Sequence, residues 1–279
     1  MGGLVWLASY PKSGNTWTRN FLHNILRGDG EGSFDINKMN TLTTWDSGMQ
    51  WYKPLLDKPL EDCTKEEVAA VRIQANQRMA DATPDLVFVK THNAMVADRG
   101  VPMVNSKVTA GAVYIVRNPL DVAISYSHHL NKTIDETINF MNLVGFQSQN
   151  RDKMAYEVQS SWLEHVYSWT RKENPSLFVM RYEDMLVNPL KEFGKLIKFL
   201  RIRTPRRVLE EAIEASSFKK LKEQEDEKGF GEKPKDAKSF FRTGKSDQWK
   251  DTLNKDQIEE IIRVNREQMA RFHYLPQGY

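Results

Sequence analysis

The chain predicts an α/β fold, a parallel sheet flanked by helices, and three observations point to it. Four short apolar runs, Leu4–Ser9, Leu86–Lys90, Ala112–Val116 and Leu177–Arg181, are rich in β-branched or aromatic residues and bounded by polar loops. That is how strands buried on both sides read. Helical patterns separate the runs, the alternation that builds a parallel sheet with ligands at its carboxyl ends. The chain has 279 residues, 40% hydrophobic and 28% charged, which is enough to enclose such a sheet. It is read as one domain, residues 1–279.

The elements follow in order. Leu4–Ser9 enters a turn at Tyr10–Gly14, and a helix starts near Asn15. Thr64-Lys65-Glu66-Glu67 is a capping box that opens a helix to about Ala80, and Thr133-Ile134-Asp135-Glu136 is a second. Helices are expected over Ala155–Arg171, Pro189–Arg201 and Pro205–Ala215, the last with Thr204 as N-cap and proline at the first position. Two segments resist this pattern. Gly28–Lys53 is rich in Gly, Asn and Thr yet holds Trp45, Trp51 and Tyr52, the composition of a functional loop. Gln224–Gln248 is charged, contains Gly229, Gly231 and Pro234, and has little apolar periodicity.

Composition narrows the function. A formal charge of +3 is too small for a nucleic-acid binder and suits a small anion held by a few placed cations. The lone Cys63 allows no internal disulfide and suggests a reducing compartment. Leu4–Ala8 is too short to span a bilayer and no basic leader precedes it. A cytosolic protein without a membrane partner is expected.

Tyr10-Pro11-Lys12-Ser13-Gly14-Asn15-Thr16-Trp17 carries the strongest chemical signal. Backbone N–H groups of such a turn, together with a helix N-terminus, cradle a phosphate. Lys12 adds a mobile ammonium. The loop is not a Walker A motif, since its lysine precedes the glycine. Lys90-Thr91-His92 ends the second strand, where a histidine can take a proton near neutral pH. In Tyr114-Ile115-Val116-Arg117-Asn118-Pro119-Leu120-Asp121-Val122-Ala123-Ile124-Ser125-Tyr126, a strand ends in an arginine whose fork suits a phosphate. His23, His128, His129, His165 and His273 have no comparable context.

These segments resemble the soluble sulfotransferases. Tyr10–Trp17 is similar to the family's 5′-phosphosulfate loop, with Asn15 where threonine is usual. Arg117 and Ser125 keep the eight-residue spacing of its 3′-phosphate motif. Arg181-Tyr182-Glu183-Asp184, Ser216-Ser217-Phe218 and Arg242-Thr243-Gly244 followed by Trp249-Lys250 resemble its remaining donor-binding segments. Thr243 replaces a usual lysine there, and Asp247 a second glycine.

The resemblance implies a P-loop-kinase-like sulfotransferase fold and the donor 3′-phosphoadenosine 5′-phosphosulfate (PAPS), leaving adenosine 3′,5′-bisphosphate (PAP). It implies that Lys12, Ser13, Gly14, Asn15, Thr16 and Trp17 hold the 5′ side, and Arg117, Ser125, Arg242, Thr243 and Gly244 the 3′-phosphate. Tyr182, Ser217 and Phe218, with Trp17, would meet adenine. His92 would be the base, Lys12 and Lys90 would stabilise the transferring group, and Ser125 would restrain Lys12. No metal is called for, and a homodimer is raised by Lys250 and Glu259, which match part of the family's C-terminal motif. Trp45, Trp51, Tyr52, Phe140 and Phe146 are candidates for an apolar or aromatic acceptor pocket, or else core residues. The other readings are a dehydratase that acts through a sulfated intermediate, a nucleotide kinase or NTPase, and a nucleotide-binding regulator without catalysis. The kinase would need a Walker A loop and a strand-end aspartate for Mg²⁺.

Overall fold

Residues 2–27, 35–233, 237 and 239–279 are described by the structure, a computed structural model. Residues 28–34 of the tryptophan-bearing loop, and Pro234 of the charged segment, lie outside the described residues. The chain forms two compact units. One comprises Met1–Tyr10, Thr43–Tyr114 and Phe140–Val179; the other comprises Pro11–Leu42, Ile115–Asn139 and Met180–Tyr279.

The sheet belongs to the first unit, apart from the last residues of two strands. Its strands are β1 (Leu4–Ser9), β2 (Thr43–Trp45), β3 (Val87–Thr91), β6 (Thr109–Val116) and β7 (Leu177–Arg181), in the order β2-β3-β1-β6-β7. β1 and β2 both pair parallel with β3. All six residues of the central strand β1 are buried, which is why it reads as an unbroken apolar run rather than an alternation. At the edge, β7 leaves Val179 exposed. A short antiparallel pair, β4 (Ala97–Asp98) and β5 (Val101–Pro102), follows β3. The helices of this unit are α2 (Met49–Tyr52), α3 (Lys65–Asp81) and α6 (Trp162–Thr170). The capping box at Thr64 is formed in full, Thr64 Oγ1 accepting from Glu67 N and Glu67 Oε2 from Thr64 N.

In the second unit, α1 (Asn15–Arg27), α4 (Pro119–Leu130) and α5 (Ile134–Met141, its last two residues in the first unit) precede a run of helices. These are α7 (Tyr182–Val187), α8 (Pro189–Phe199), α9 (Arg206–Ala215), α10 (Phe218–Lys228), α11 (Trp249–Thr252) and α12 (Lys255–Arg271). Ile36, Met39, Leu221, Phe230 and Phe241 form an aromatic-rich core cluster against which Trp17, Phe218 and Phe240 pack.

Three expectations are corrected. The helix expected over Ala155–Arg171 starts only at Trp162, with Ser161 as its N-cap. Residues 155–160 are buried without forming a helix, because side chains elsewhere take three successive amides and distant carbonyls take those of Ala155 and Ser160. Tyr156 N donates to Asn150 Oδ1, Glu157 N to Ser148 Oγ and Val158 N to Asn93 Oδ1. At α9 the cap is Pro205, not Thr204, and no side chain closes the helix start. The charged segment from Gln224 begins inside α10, where Gln224 and Glu225 are buried and Glu225 accepts from the amides of Phe240 and Phe241. β2 went unread because three residues carry no periodicity.

Candidate active site

In the second unit, Ser13 and Gly14 lead into α1, whose first ladder bond runs from Thr18 N to Gly14 O. The N–H groups before it belong to the open, positive end of the helix. Lys12 has φ of 66° and Gly14 φ of 105°. A left-handed lysine is uncommon and is held only where its surroundings enforce it. Gly14 must be glycine for a second reason, since a Cβ there would lie 2.8 Å from the Tyr182 ring.

Arg117, at the end of β6, supplies part of that enforcement. Its Nη1 donates to Lys12 O at 3.0 Å and its Nη2 to Lys245 O at 3.2 Å, and the guanidinium sits 4.3 Å from the Tyr182 ring centroid. Each Nη keeps a second N–H, and Nε is buried without a partner among the described residues. Partial burial, and then the like charge of Arg117, hold Arg242 below its ordinary value. Two arginines placed to repel each other are suited to an anion. The segment after Arg242 is tied to α4 by Asp121, whose carboxylate accepts from Asp247 N at 2.8 Å and Trp249 N at 3.2 Å. Burial raises the Asp121 pKa despite nearby Arg117.

The two departures in this segment find physical accounts. Asp247 takes φ of 61°, the left-handed conformation a glycine would supply, with its N–H on Asp121. Thr243 Oγ1 and Arg242 Nη2 both donate to Gln248 Oε1, at 2.8 and 2.6 Å. Gly244, φ 60°, presses its backbone on Phe218, where a Cβ would come within 2.2 Å of the ring. Ser217 caps α10 by accepting from Lys220 N. Trp17 meets Tyr182 and Phe193 edge-on, at 5.9 and 5.5 Å. Ser13 Oγ and Trp17 Nε1 are buried without partners among the described residues.

One hollow in this unit gathers Lys12, Ser125, His128, His129, Phe240 and Arg242. Three of these were expected from separate motifs. His128, His129 and Phe240 were missed. The two histidines lie three and four residues past Ser125, one turn on along α4, and that spacing could have found them. Phe240 holds its ring 4.0 Å from Lys12 Nζ and meets His129 edge-on.

In the first unit, Lys90 is the last but one residue of β3 and places Nζ 4.7 Å from the Trp45 ring centroid, a contact set by the β2–β3 register that pairs these two residues. His92 Nδ1 lies 2.7 Å from Ser9 O. A carbonyl only accepts, so Nδ1 carries the proton and the basic lone pair is on Nε2. The residues on either side are fixed by one buried carboxylate: Asp46 Oδ2 accepts from Thr91 Oγ1 at 2.6 Å and Asn93 Nδ2 at 2.7 Å. Burial, and then the charge of Glu157, push the Asp46 pKa up to about 6.

The aromatic candidates part company. Trp45 joins Lys90. Trp51 donates to Thr44 Oγ1 at 2.9 Å and packs on the cluster of Tyr52, Leu60, Val68 and Tyr156. Tyr52 is fully enclosed, its hydroxyl accepting from Arg72, so it is a core residue. Phe140 and Phe146 pack on each other, their centroids 4.5 Å apart.

A family model described as a sulfotransferase domain matches residues 3–273. The chain belongs to that family and is a sulfotransferase. Among its relatives is flavonol 3-sulfotransferase of Flaveria bidentis, 30% identical over 281 residues, covering 95% of this chain and 81% of the relative. Sulfotransferase 1B1 of Mus musculus is 27% identical, over 96% of this chain and 83% of its own. Among solved structures, retinol dehydratase in complex with androsterone and PAP aligns over 95% of this chain and 80% of its own, with a TM-score of 0.65 and 21% identity. Mouse sulfotransferase SULT7A1 with PAP aligns over 98% and 89%, with a TM-score of 0.61 and 19% identity. These two structures bear out the α/β fold with its central parallel sheet.

Proposed function

We propose that the chain moves a sulfuryl group from PAPS to a hydroxyl (or amine) of a small, apolar or aromatic acceptor, with His92 as general base. The observation that carries this reading is the convergence of Lys12, Ser125 and Arg242, from three separate motifs, on one hollow. The chemistry of the second unit fits the donor. Ser13 Oγ and Arg117 Nε are buried polar atoms without described partners, two arginines stand close enough to repel each other, and a glycine backbone opens the turn at Gly14.

PAPS supplies the activated sulfuryl group, and positioning and charge stabilisation supply most of the rate in such transfers. The N–H groups of Ser13–Trp17 hold the 5′ side, Arg117, Ser125 and Arg242 the 3′-phosphate, and Trp17, Tyr182 and Phe218 the base, with Ser217, Thr243 and Gly244 shaping their segments. Lys12 carries the charge that meets the leaving oxygen, and Ser125 restrains it. His92 receives the acceptor's proton on Nε2 while Nδ1–H stays on Ser9 O. Lys90, backed by Trp45, offers its ammonium to the transferring group. Exposed Met95 and Val96, just after His92, favour an apolar acceptor, and Phe140 and Phe146 are proposed as parts of its wall. A cytosolic homodimer completes the reading; the lone, buried Cys63 suits a reducing compartment.

The test is a screen of phenols, alcohols and amines with labelled PAPS, read by mass spectrometry. A sulfated product is expected. A dehydrated product would point to elimination after sulfation. No transfer from labelled PAPS, with phosphoryl transfer from ATP in its place, would overturn the reading.

A further inference from the structure

His165 has no context in the sequence, yet it is fully buried within the first unit and bonded at both ring nitrogens. Its Nε2 lies 3.2 Å from the carbonyl oxygen of His92, and its Nδ1 2.8 Å from the hydroxyl of Tyr114. The carbonyl can only accept, so Nε2 carries the proton; Nδ1 then accepts, and the Tyr114 hydroxyl donates. The geometry thus fixes one tautomer. One turn further along α6, Trp169 Nε1 donates to Asn93 O at 2.9 Å. Two side chains at i and i+4 on one helix face therefore hold two successive carbonyls of the segment that carries His92. His92 is gripped twice, by its main-chain oxygen from His165 and by its ring from Ser9 O.

We propose that His165 is a positioning residue for His92, and that Tyr114 selects the tautomer in which it acts. Holding the His92 carbonyl fixes where its ring starts, and so keeps Nδ1–H on Ser9 O with the basic lone pair on Nε2. This rests on the reading of His92 as the base. Burial supports a permanently neutral His165 by pulling its pKa down to about 3. An imidazole that does not charge at physiological pH cannot exchange its donor and acceptor ends by titration.

The test is NMR of the ring nitrogens in protein with isotope-labelled histidines, which reads each tautomer directly and needs no acceptor. In the unsubstituted protein, His165 is expected to carry its proton on Nε2 and His92 on Nδ1. His165→Leu should turn His92 into a mixture of tautomers, and His165→Gln, which keeps a donor at that reach, should restore the single form. Turnover of the best acceptor from the mass-spectrometric screen should fall in His165→Leu by up to about 10²-fold, the scale of a roughly 1 Å misplacement. The melting shift given by PAP should be kept. If His165→Leu does not fold, Tyr114→Phe removes only one hydroxyl and is read the same way, with mixed tautomers expected at both histidines. A proton found on Nδ1 of His165 in the unsubstituted protein, or His92 nitrogens unchanged in folded His165→Leu or Tyr114→Phe, overturns the proposal. Full turnover in His92→Ala would instead sink the assignment of the base.

Discussion

Arg117 donates to the main-chain oxygen of Lys12 across 3.0 Å, so the arginine expected to read a phosphate also secures the backbone of the lysine expected to do chemistry. Lys12 needs that support because it sits in the left-handed region, which costs on the order of 1–2 kcal/mol for a residue with a side chain. Arg117→Ala should therefore have two effects. The melting shift from PAP should fall to that from ATP, both measured without Mg²⁺, because the charged fork is lost. kcat should also drop at saturating donor, because Lys12 is no longer held. A variant that loses donor affinity alone, with kcat intact, would show that the Lys12 contact does not matter.

The proposed general base gives a simpler contrast. His92→Ala should cut turnover by about 10²–10⁴-fold while leaving the melting shift from PAP near its normal size, because none of the donor-side residues is touched. Loss of the shift together with turnover would mean that the substitution has disturbed the fold.

Asp46 sets a pH dependence whose sign can be worked out. Its folded pKa, about 6, lies above the ordinary 3.8, because of burial first and then Glu157. The folded state binds this proton more tightly than the unfolded chain does, so ionised Asp46 costs stability above about pH 6, and the cost fades as pH falls towards 3.8. Asp46→Asn keeps the shape and a carbonyl to accept from Thr91 and Asn93. Its melting temperature relative to the unsubstituted protein should be highest above pH 6 and should decline towards pH 4. A difference that stays constant with pH would rule this out.

How much of this was legible in sequence depends on the range of the interaction. β1, the capping boxes and the Tyr10–Trp17 turn are local, and each was readable because a few adjacent residues settle it. Ala155–Ser160 reads as helix but is kept out of one by Asn150, Ser148 and Asn93, which take its amides, one of them more than sixty residues away in the chain. Asp247 looked like a fault in a glycine position; its φ of 61° and its N–H bond to Asp121 show an aspartate tolerating the same backbone. His165 could not be seen at all, since what distinguishes it is two partners 51 and 73 residues away.

Trp45 and Trp51 should separate cleanly. Successive residues of a strand face opposite sides, so Trp45, beside Lys90, and Thr44, which accepts from Trp51, lie on opposite faces of β2. Trp45→Ala should alter KM or acceptor preference in the sulfation assay. Trp51→Phe should instead lower stability by roughly 1 kcal/mol, the worth of one hydrogen bond, without altering selectivity. The opposite pattern would move the acceptor to the Trp51 side.

Gly244 offers the sharpest steric test. Its φ of 60° alone disfavours a side chain, and a Cβ would stand 2.2 Å from the Phe218 ring, far inside contact distance, so either the ring or the segment must move. Phe218 is the first residue of α10 and rests on the aromatic cluster. The segment, in turn, is anchored by Lys245 O to Arg117 and by Asp247 N to Asp121. Gly244→Ala should therefore leave the sheet and the His92 segment untouched and act on the donor side. We expect a small loss of melting temperature in the absence of ligand and a much reduced shift with PAP. kcat at saturating donor should be affected less than donor KM, because Lys12 keeps its own bond to Arg117. Adding Phe218→Leu should recover part of the shift if the ring clash is the cause, since a smaller side chain can yield. If Gly244→Ala binds PAP as well as the unsubstituted protein, Phe218 and this segment do not meet the donor, and the adenine side must be sought elsewhere.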